Sequence, residues 1–185
     1  MGHLKMTSQN MKIRKVSDGM DVSPLWWALA EHPELWNQTP NRTDPVDSPH
    51  HGLSDIYIRY GENPLDRQEH ESIWYPAASV LPVKDLIFKL MAEQRGERLG
   101  GVLITKIPAG KMCKPHHDGG WHAGHYEKFG IQIASAPGQE FCFEGESLET
   151  KPGDVFWFDN SHTHWVTNDT PHDRITLIVT LKRGD

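Results

Sequence analysis

KPHHDGGWHAGH, residues 114–125, holds four of the chain's twelve histidines and one aspartate. In an extended segment residues i and i+2 point to one face, so His116 and Asp118 project together while His117 projects the opposite way. An imidazole nitrogen beside a carboxylate makes two thirds of a facial triad, the set that holds non-haem Fe(II) and leaves coordination positions open. The third ligand must come from elsewhere. SHTHWVTN (161–168) offers His162 and His164, which share a face and which strand alternation cannot separate. His122 and His125 are spaced three apart, but no Cys or His pair complements them as a zinc site requires. Gly119-Gly120 turns the chain out into WHAGHYE, which has two readings, a rim loop or lid that meets substrate and a plain solvated loop.

DRITLIVTLK (173–182) adds a possible anion grip. Ile175, Leu177, Val179 and Leu181 form an aliphatic face, while Arg174, Thr176, Ile178 and Thr180 share the other. The second face suits a wet cavity in which Arg174 holds a carboxylate in a bidentate fork. Asn168 has two readings, a group lining that cavity or an Asx turn with Asp169. Arg59, on the alternating run SDIYIRY (54–60), is a candidate substrate-side charge, and His50-His51, in a loop after a proline, read as surface.

These residues need a rigid frame. From residue 100 onward short runs alternate with turn chemistry: GVLITKI, KFGIQIA, EFCFE, SLET, VFWFD, HWVTN and RITLIVTLK. With the segment around His116 they make eight strands, spaced as in an antiparallel sandwich or barrel. Upstream, LPVKDLIFKLMAEQRG carries helical periodicity over about 82–95, closed by Gly96. SPLWWALAEHPELW begins with Ser23 as N-cap and Pro24 at the first helical position. NQTPNRTDPVDSPHHG (37–52) reads as an ordered irregular loop and, with the 119–128 loop, as the place where substrate specificity lies. The expectation is one mainly β domain, 1–185, with a helical and irregular supporting region, 1–99, and a core over 100–183.

Composition excludes some classes. A net charge of −6 argues against sequence-independent nucleic-acid binding. No apolar run reaches the ~20 residues of a membrane span, and two cysteines, Cys113 and Cys142, suit free thiols in a reducing, cytoplasmic setting. Oligomeric state leaves no mark on the sequence.

His-x-Asp, a histidine about 45 residues on, and an arginine ten residues further resemble the Fe(II)/2-oxoglutarate oxygenases, which are double-stranded β-helices (jelly rolls) of eight core strands. The ordered set IPAGKMCKPHHDGG, KFGIQI, KPGDVFWFDNSHTHWVTN and DRITLIV, with HPELWN and SDIYIRY upstream, is similar to the aspartyl/asparaginyl β-hydroxylase-like branch. The resemblance implies that His116, Asp118 and His164 bind Fe(II), and that Arg174 binds the distal carboxylate of the co-substrate 2-oxoglutarate. It also implies that O2 is consumed, that 2-oxoglutarate leaves as succinate and CO2, and that an unactivated C–H of a peptide, protein or small molecule is hydroxylated. Two departures qualify it. The membrane-anchored members have glycine in place of the triad aspartate, whereas Asp118 is present here, so their EGF-domain substrate is not carried over. Their central strand also carries Arg-x-His for the co-substrate where this chain reads Gly130-Ile131-Gln132, which leaves Gln132, Lys128 and Asn168 as candidate secondary contacts. Two other classes compete. His164-x-x-x-Asn168 resembles half of a cupin signature, which suits a non-catalytic binding module. A zinc hydrolase could use the same three ligands but would leave Arg174 without a role.

Overall fold

The computed structural model describes residues 11–184, so the expected supporting region is seen from residue 11 on, and residues 1–10 and 185 lie outside the described residues. In chain order the elements are β1 (Ile13–Ser17), α1 (Ser23–Glu31), β2 (Ser54–Tyr60), β3 (Ile73–Trp74), α2 (Ala77–Val80), α3 (Lys84–Gln94), β4 (Gly96–Ile107), β5 (Met112–His116) and α4 (Trp121–His125). Then follow β6 (Glu127–Ala134), β7 (Gln139–Phe143), β8 (Glu146–Glu149), β9 (Val155–Phe158), β10 (His164–Asn168) and β11 (Arg174–Arg183). One sheet runs β1-β9-β6-β11-β4-β2-β3 and the other β5-β10-β7-β8. All strand pairs are antiparallel. The eight strands β4 to β11 divide four and four between the sheets, the topology of a double-stranded β-helix. β2, β3 and β1 widen the larger sheet at its two edges.

The two faces of β11 explain where the cavity lies. Ile175, Leu177, Val179 and Leu181 sink into a core shared with Leu25 and Leu29 of α1 and with Ile87 and Leu90 of α3. Each such fully buried aliphatic side chain contributes about 1.5–3 kcal/mol. A second core, between the sheets, gathers Phe141, Phe143, Phe156 and Phe158 with Ile13, Cys113 and Val166. The helices therefore back the larger sheet, and its polar face looks inward.

Several local readings shift. Ser23 is the first helical residue of α1, and the carboxylate of Asp21 accepts both its backbone N–H (3.1 Å) and its hydroxyl (2.5 Å). Arg95, at φ +55°, takes the left-handed position that ends α3, and Gly96 opens β4 instead. A Cβ at Gly96 would stand 3.2 Å from Leu181 Cδ1, a tight contact that this side chain would have to shift to accommodate. β4 begins before the expected GVLITKI because its start is held by pairing with Leu181–Arg183 and not by its own apolar pattern. β1 escapes sequence reading for the same reason: IRKVS is charged, and it is a strand through its partner β9. WHAGH forms the short helix α4, tied by Trp121 N–H to Arg67 O (3.1 Å) and by Asn160 Nδ2 to Ala123 O (3.2 Å).

Candidate metal centre

β10 lies beside β5 with His164 opposite His116, and this register brings the two imidazoles together with ring centroids 4.5 Å apart. Asp118, just past the end of β5, is held by its own N–H to Asn160 O at 3.0 Å. Its Oδ1 lies 3.9 Å from His116 Nε2 and its Oδ2 lies 3.9 Å from His164 Nε2. One donor atom from each of the three falls within 4.8 Å of the others. His162 goes elsewhere: its side chain is exposed and pairs with Asp159 at 3.2 Å.

The hydrogen bonds behind the rings fix their tautomers. His116 Nδ1 donates to Lys114 O (2.8 Å) and His164 Nδ1 donates to His162 O (2.9 Å). With the proton on Nδ1, each Nε2 lone pair is left facing Asp118, as metal ligation needs. Burial pushes the His164 imidazole down to about 4 and that of His116 also downward, so both rings are neutral near pH 7. Phe141, Phe143 and Phe158 surround His164 at 5.5–5.6 Å and keep water from its far side. Two neutral imidazoles and a carboxylate on one side of an open space form a donor set suited to a divalent first-row metal. Burial raises the Asp118 carboxyl, but the Lys128 ammonium outweighs it and holds the group at about 2. Lys128 Nζ donates to Asp118 Oδ2 at 2.5 Å, so this cation is engaged with the aspartate.

The three residues open into a cavity of about 650 Å³ between the sheets. Thr176, Ile178 and Thr180 of β11 line it, facing His116, Asp118, Lys128 and Phe158. Arg174 continues that row on β11 but is 1% exposed and does not itself line the cavity. It is flanked by two residues that do, Thr176 and its β4 register partner Ile107. Its guanidinium donates to Gln139 O and to Thr150 Oγ1, both at 3.2 Å. Burial lowers its pKa to about 10, partly offset by Cys142 and by the Glu149 carboxylate, and among the described residues it forms no salt bridge.

The remaining candidates are placed as follows. Gln132 is fully buried; its amide donates to Ala134 O and Ile175 O, and its Oε1 accepts from Thr150 (2.8 Å) and Thr176 (3.4 Å). It thereby links Arg174's partner Thr150 to the cavity wall at Thr176. Asn168 is also fully buried. Its Nδ2 donates to Ile107 O, Pro108 O and His172 O, and its Oδ1 accepts from Thr170 N–H in an Asx turn (3.2 Å). At Gly130 a Cβ would lie 2.2 Å from Phe156 Cζ, so the Phe156 ring fills the space that a side chain at this position would need. Arg59 turns away from the cavity, with its guanidinium over the Trp74 ring at 5.1 Å.

The 37–52 loop contributes to the wall, as its reading as a specificity loop implies, through residues that the sequence did not single out. Arg42 lines the cavity, bound through Nε to the buried Asp55 (2.5 Å) and through Nη2 to Thr105 Oγ1 (3.2 Å). His50, read as surface, packs edge-on against His116 at 4.7 Å. The one available signal was the buried-strand pattern SDIYIRY carrying Asp55, a carboxylate that needs a cationic partner. His122 lines the cavity too, with Nε2 accepting Gly101 N–H at 3.0 Å, and burial lowers its imidazole to about 3.

Fold and donor set define a double-stranded β-helix with a two-histidine, one-carboxylate pocket. The model of the aspartyl/asparaginyl β-hydroxylase family matches residues 77–184, and the chain belongs to that family of hydroxylases. Solved structures share the fold. A 2OG-Fe(II) oxygenase family oxidoreductase from Burkholderia pseudomallei aligns at 20% identity over 73% of this chain and 68% of its own, with a TM-score of 0.53. A Pseudomonas putida prolyl-4-hydroxylase aligns at 11% identity over 95% of each chain (TM-score 0.54). A viral collagen prolyl hydroxylase from Paramecium Bursaria Chlorella virus-1, solved as a 2OG complex, aligns at 8% identity over 95% of this chain and 98% of its own (TM-score 0.56). No curated protein matches the sequence. Among the described residues no helix is long and apolar enough to cross a membrane.

Proposed function

We propose that the protein is an Fe(II)- and 2-oxoglutarate-dependent dioxygenase that hydroxylates an unactivated C–H. His116, Asp118 and His164 would hold the metal. The observation that carries this reading is the convergence of two Nε2 lone pairs and one carboxylate, with both Nδ1 positions committed to backbone carbonyls. Bound iron would supply O2 activation coupled to oxidative decarboxylation of 2-oxoglutarate to succinate and CO2. The chain's own residues do the rest. Arg174, buried behind Thr176 and Ile107 of the cavity wall, would meet the distal carboxylate with a guanidinium that forms no salt bridge among the described residues. Thr150 and Gln132 orient that guanidinium. Lys128 keeps Asp118 ionised, and the ring of phenylalanines excludes water from His164.

The substrate is an amino-acid side chain of a peptide or protein, a reading supported by the family and by the prolyl hydroxylases that share the fold. The cavity, at about 650 Å³, has room for one side chain beside the co-substrate. Arg174 argues against the zinc-hydrolase reading, which gives no use to a buried guanidinium, and Asp118 in place of the second histidine of a cupin His-x-His argues against the cupin-module reading. The test is turnover: purified protein with Fe(II), O2 and 2-oxoglutarate releases succinate, and His164→Ala does not.

A further inference from the structure

The imidazole of His116 has a second face. Cys113 Sγ, on the same strand, lies 3.9 Å from His116 Nδ1, and His50 closes the group from the 37–52 loop. One donor atom each from His50, Cys113 and His116 lies within 4.8 Å of the other two. The group is built into the backbone. Lys114 N–H donates to Pro49 O at 2.9 Å and Leu53 N–H donates to His50 O at 3.0 Å, which pins His50 against β5. Cys113 is 5% exposed, and both it and His50 line the cavity, so an ion can reach them.

We propose that His50, Cys113 and His116 form a site for a thiophilic divalent cation such as zinc, and that its occupation takes His116 away from the iron triad. Two imidazoles and a thiolate, with a fourth position open to the cavity, are a soft donor set that prefers zinc over ferrous iron. In a tetrahedral zinc site sulfur and nitrogen stand roughly 3.5 Å apart, so the 3.9 Å pair needs only a small side-chain adjustment. On binding, the Cys113 S–H bond breaks, its proton passes to the buffer and an S–metal bond forms, with no change of oxidation state. A neutral imidazole has one lone pair. Metal on Nδ1 displaces the bond to Lys114 O and moves the ring proton to Nε2, the atom that faces Asp118. The two sites are therefore mutually exclusive at His116. Only this competition rests on the iron reading; the binding does not.

The probe is Cd2+ alone, titrated into metal-free protein without oxygen while the ultraviolet thiolate-to-cadmium charge-transfer band is followed. One equivalent should develop the band in wild type, Cys142→Ser and His164→Ala. Cys113→Ser should lack it, and His50→Ala should weaken binding by about tenfold or more. A measurement without variants runs alongside: in native protein Cd2+ should shield Cys113 from alkylation and leave Cys142 unshielded, read by peptide mass spectrometry. No band in wild type, a band that survives Cys113→Ser, an unchanged titration in His50→Ala, or no shielding of Cys113 would each overturn the site. His164→Ala with an intact band but no succinate release leaves this site standing whatever becomes of the iron assignment.

Discussion

Replacing Arg174 with Met should cost the protein its co-substrate and little or none of its stability. The side chain is 1% exposed and its pKa falls to about 10 because burial strips the guanidinium of water. A fall of roughly two decades or more from the ordinary arginine value corresponds to about 3 kcal/mol of strain on the charged form, at ~1.4 kcal/mol per decade. The sign follows: a cation with a depressed folded pKa is charged in both states at pH 7, so it opposes folding there. Two hydrogen bonds, to Gln139 O and Thr150 Oγ1, return about 1 kcal/mol each. Methionine fills much of the same volume without the charge, so the variant should unfold in urea within about 1 kcal/mol of wild type, on either side. With Mn(II) already present at saturation in both proteins, adding 2-oxoglutarate should raise the melting temperature of wild type and leave that of Arg174→Met unmoved. A variant that loses several kcal/mol yet still responds to 2-oxoglutarate would refute the reasoning and make Arg174 a structural strut.

Three further outcomes are expected. Asn168→Ala should destabilise by about 2–4 kcal/mol, because it removes the side-chain donor that Ile107 O and Pro108 O share and the acceptor of Thr170 N–H; urea unfolding measures this, and an unchanged midpoint would contradict it. Gly130→Ala should cost about 1–3 kcal/mol or more, since the added Cβ meets Phe156 Cζ at 2.2 Å; a rise in melting temperature would contradict it. The His122 imidazole, lowered to about 3 by burial, favours the fold fully above the unfolded histidine pKa and loses that contribution as pH falls from about 6.5 toward 3. His122→Gln keeps an acceptor for Gly101 N–H and should take up about one proton fewer on acid unfolding; an unchanged slope of stability against pH would count against it.

The core strands were legible because alternation and turn residues both marked them. β11 shows this well: its aliphatic face enters the core and its Thr176, Ile178 and Thr180 reach the cavity, as the two-residue period requires. The pairing of His116 with Asp118 followed from the same period, and the strand register then set His164 opposite His116. Elements held by partners and not by their own pattern were invisible, β1 and the start of β4 among them. The 37–52 loop reads as part of the substrate pocket, but it has no periodicity, so nothing in it singles out Arg42 and His50 as the residues that wall the cavity. Asn168 offered two uses of one amide, and its carbonyl partners come from segments about sixty residues away, which local reading cannot supply.

The proposed role of His116, Asp118 and His164 is to hold a redox-active iron. Its most direct test is succinate release from 2-oxoglutarate under air, with Fe(II) added to wild type and to His164→Ala, alongside Mn(II) binding to both followed by electron paramagnetic resonance. Wild type should release succinate and bind one Mn(II) tightly, and the variant should do neither. Equal succinate release and equal Mn(II) binding by the two proteins would contradict it.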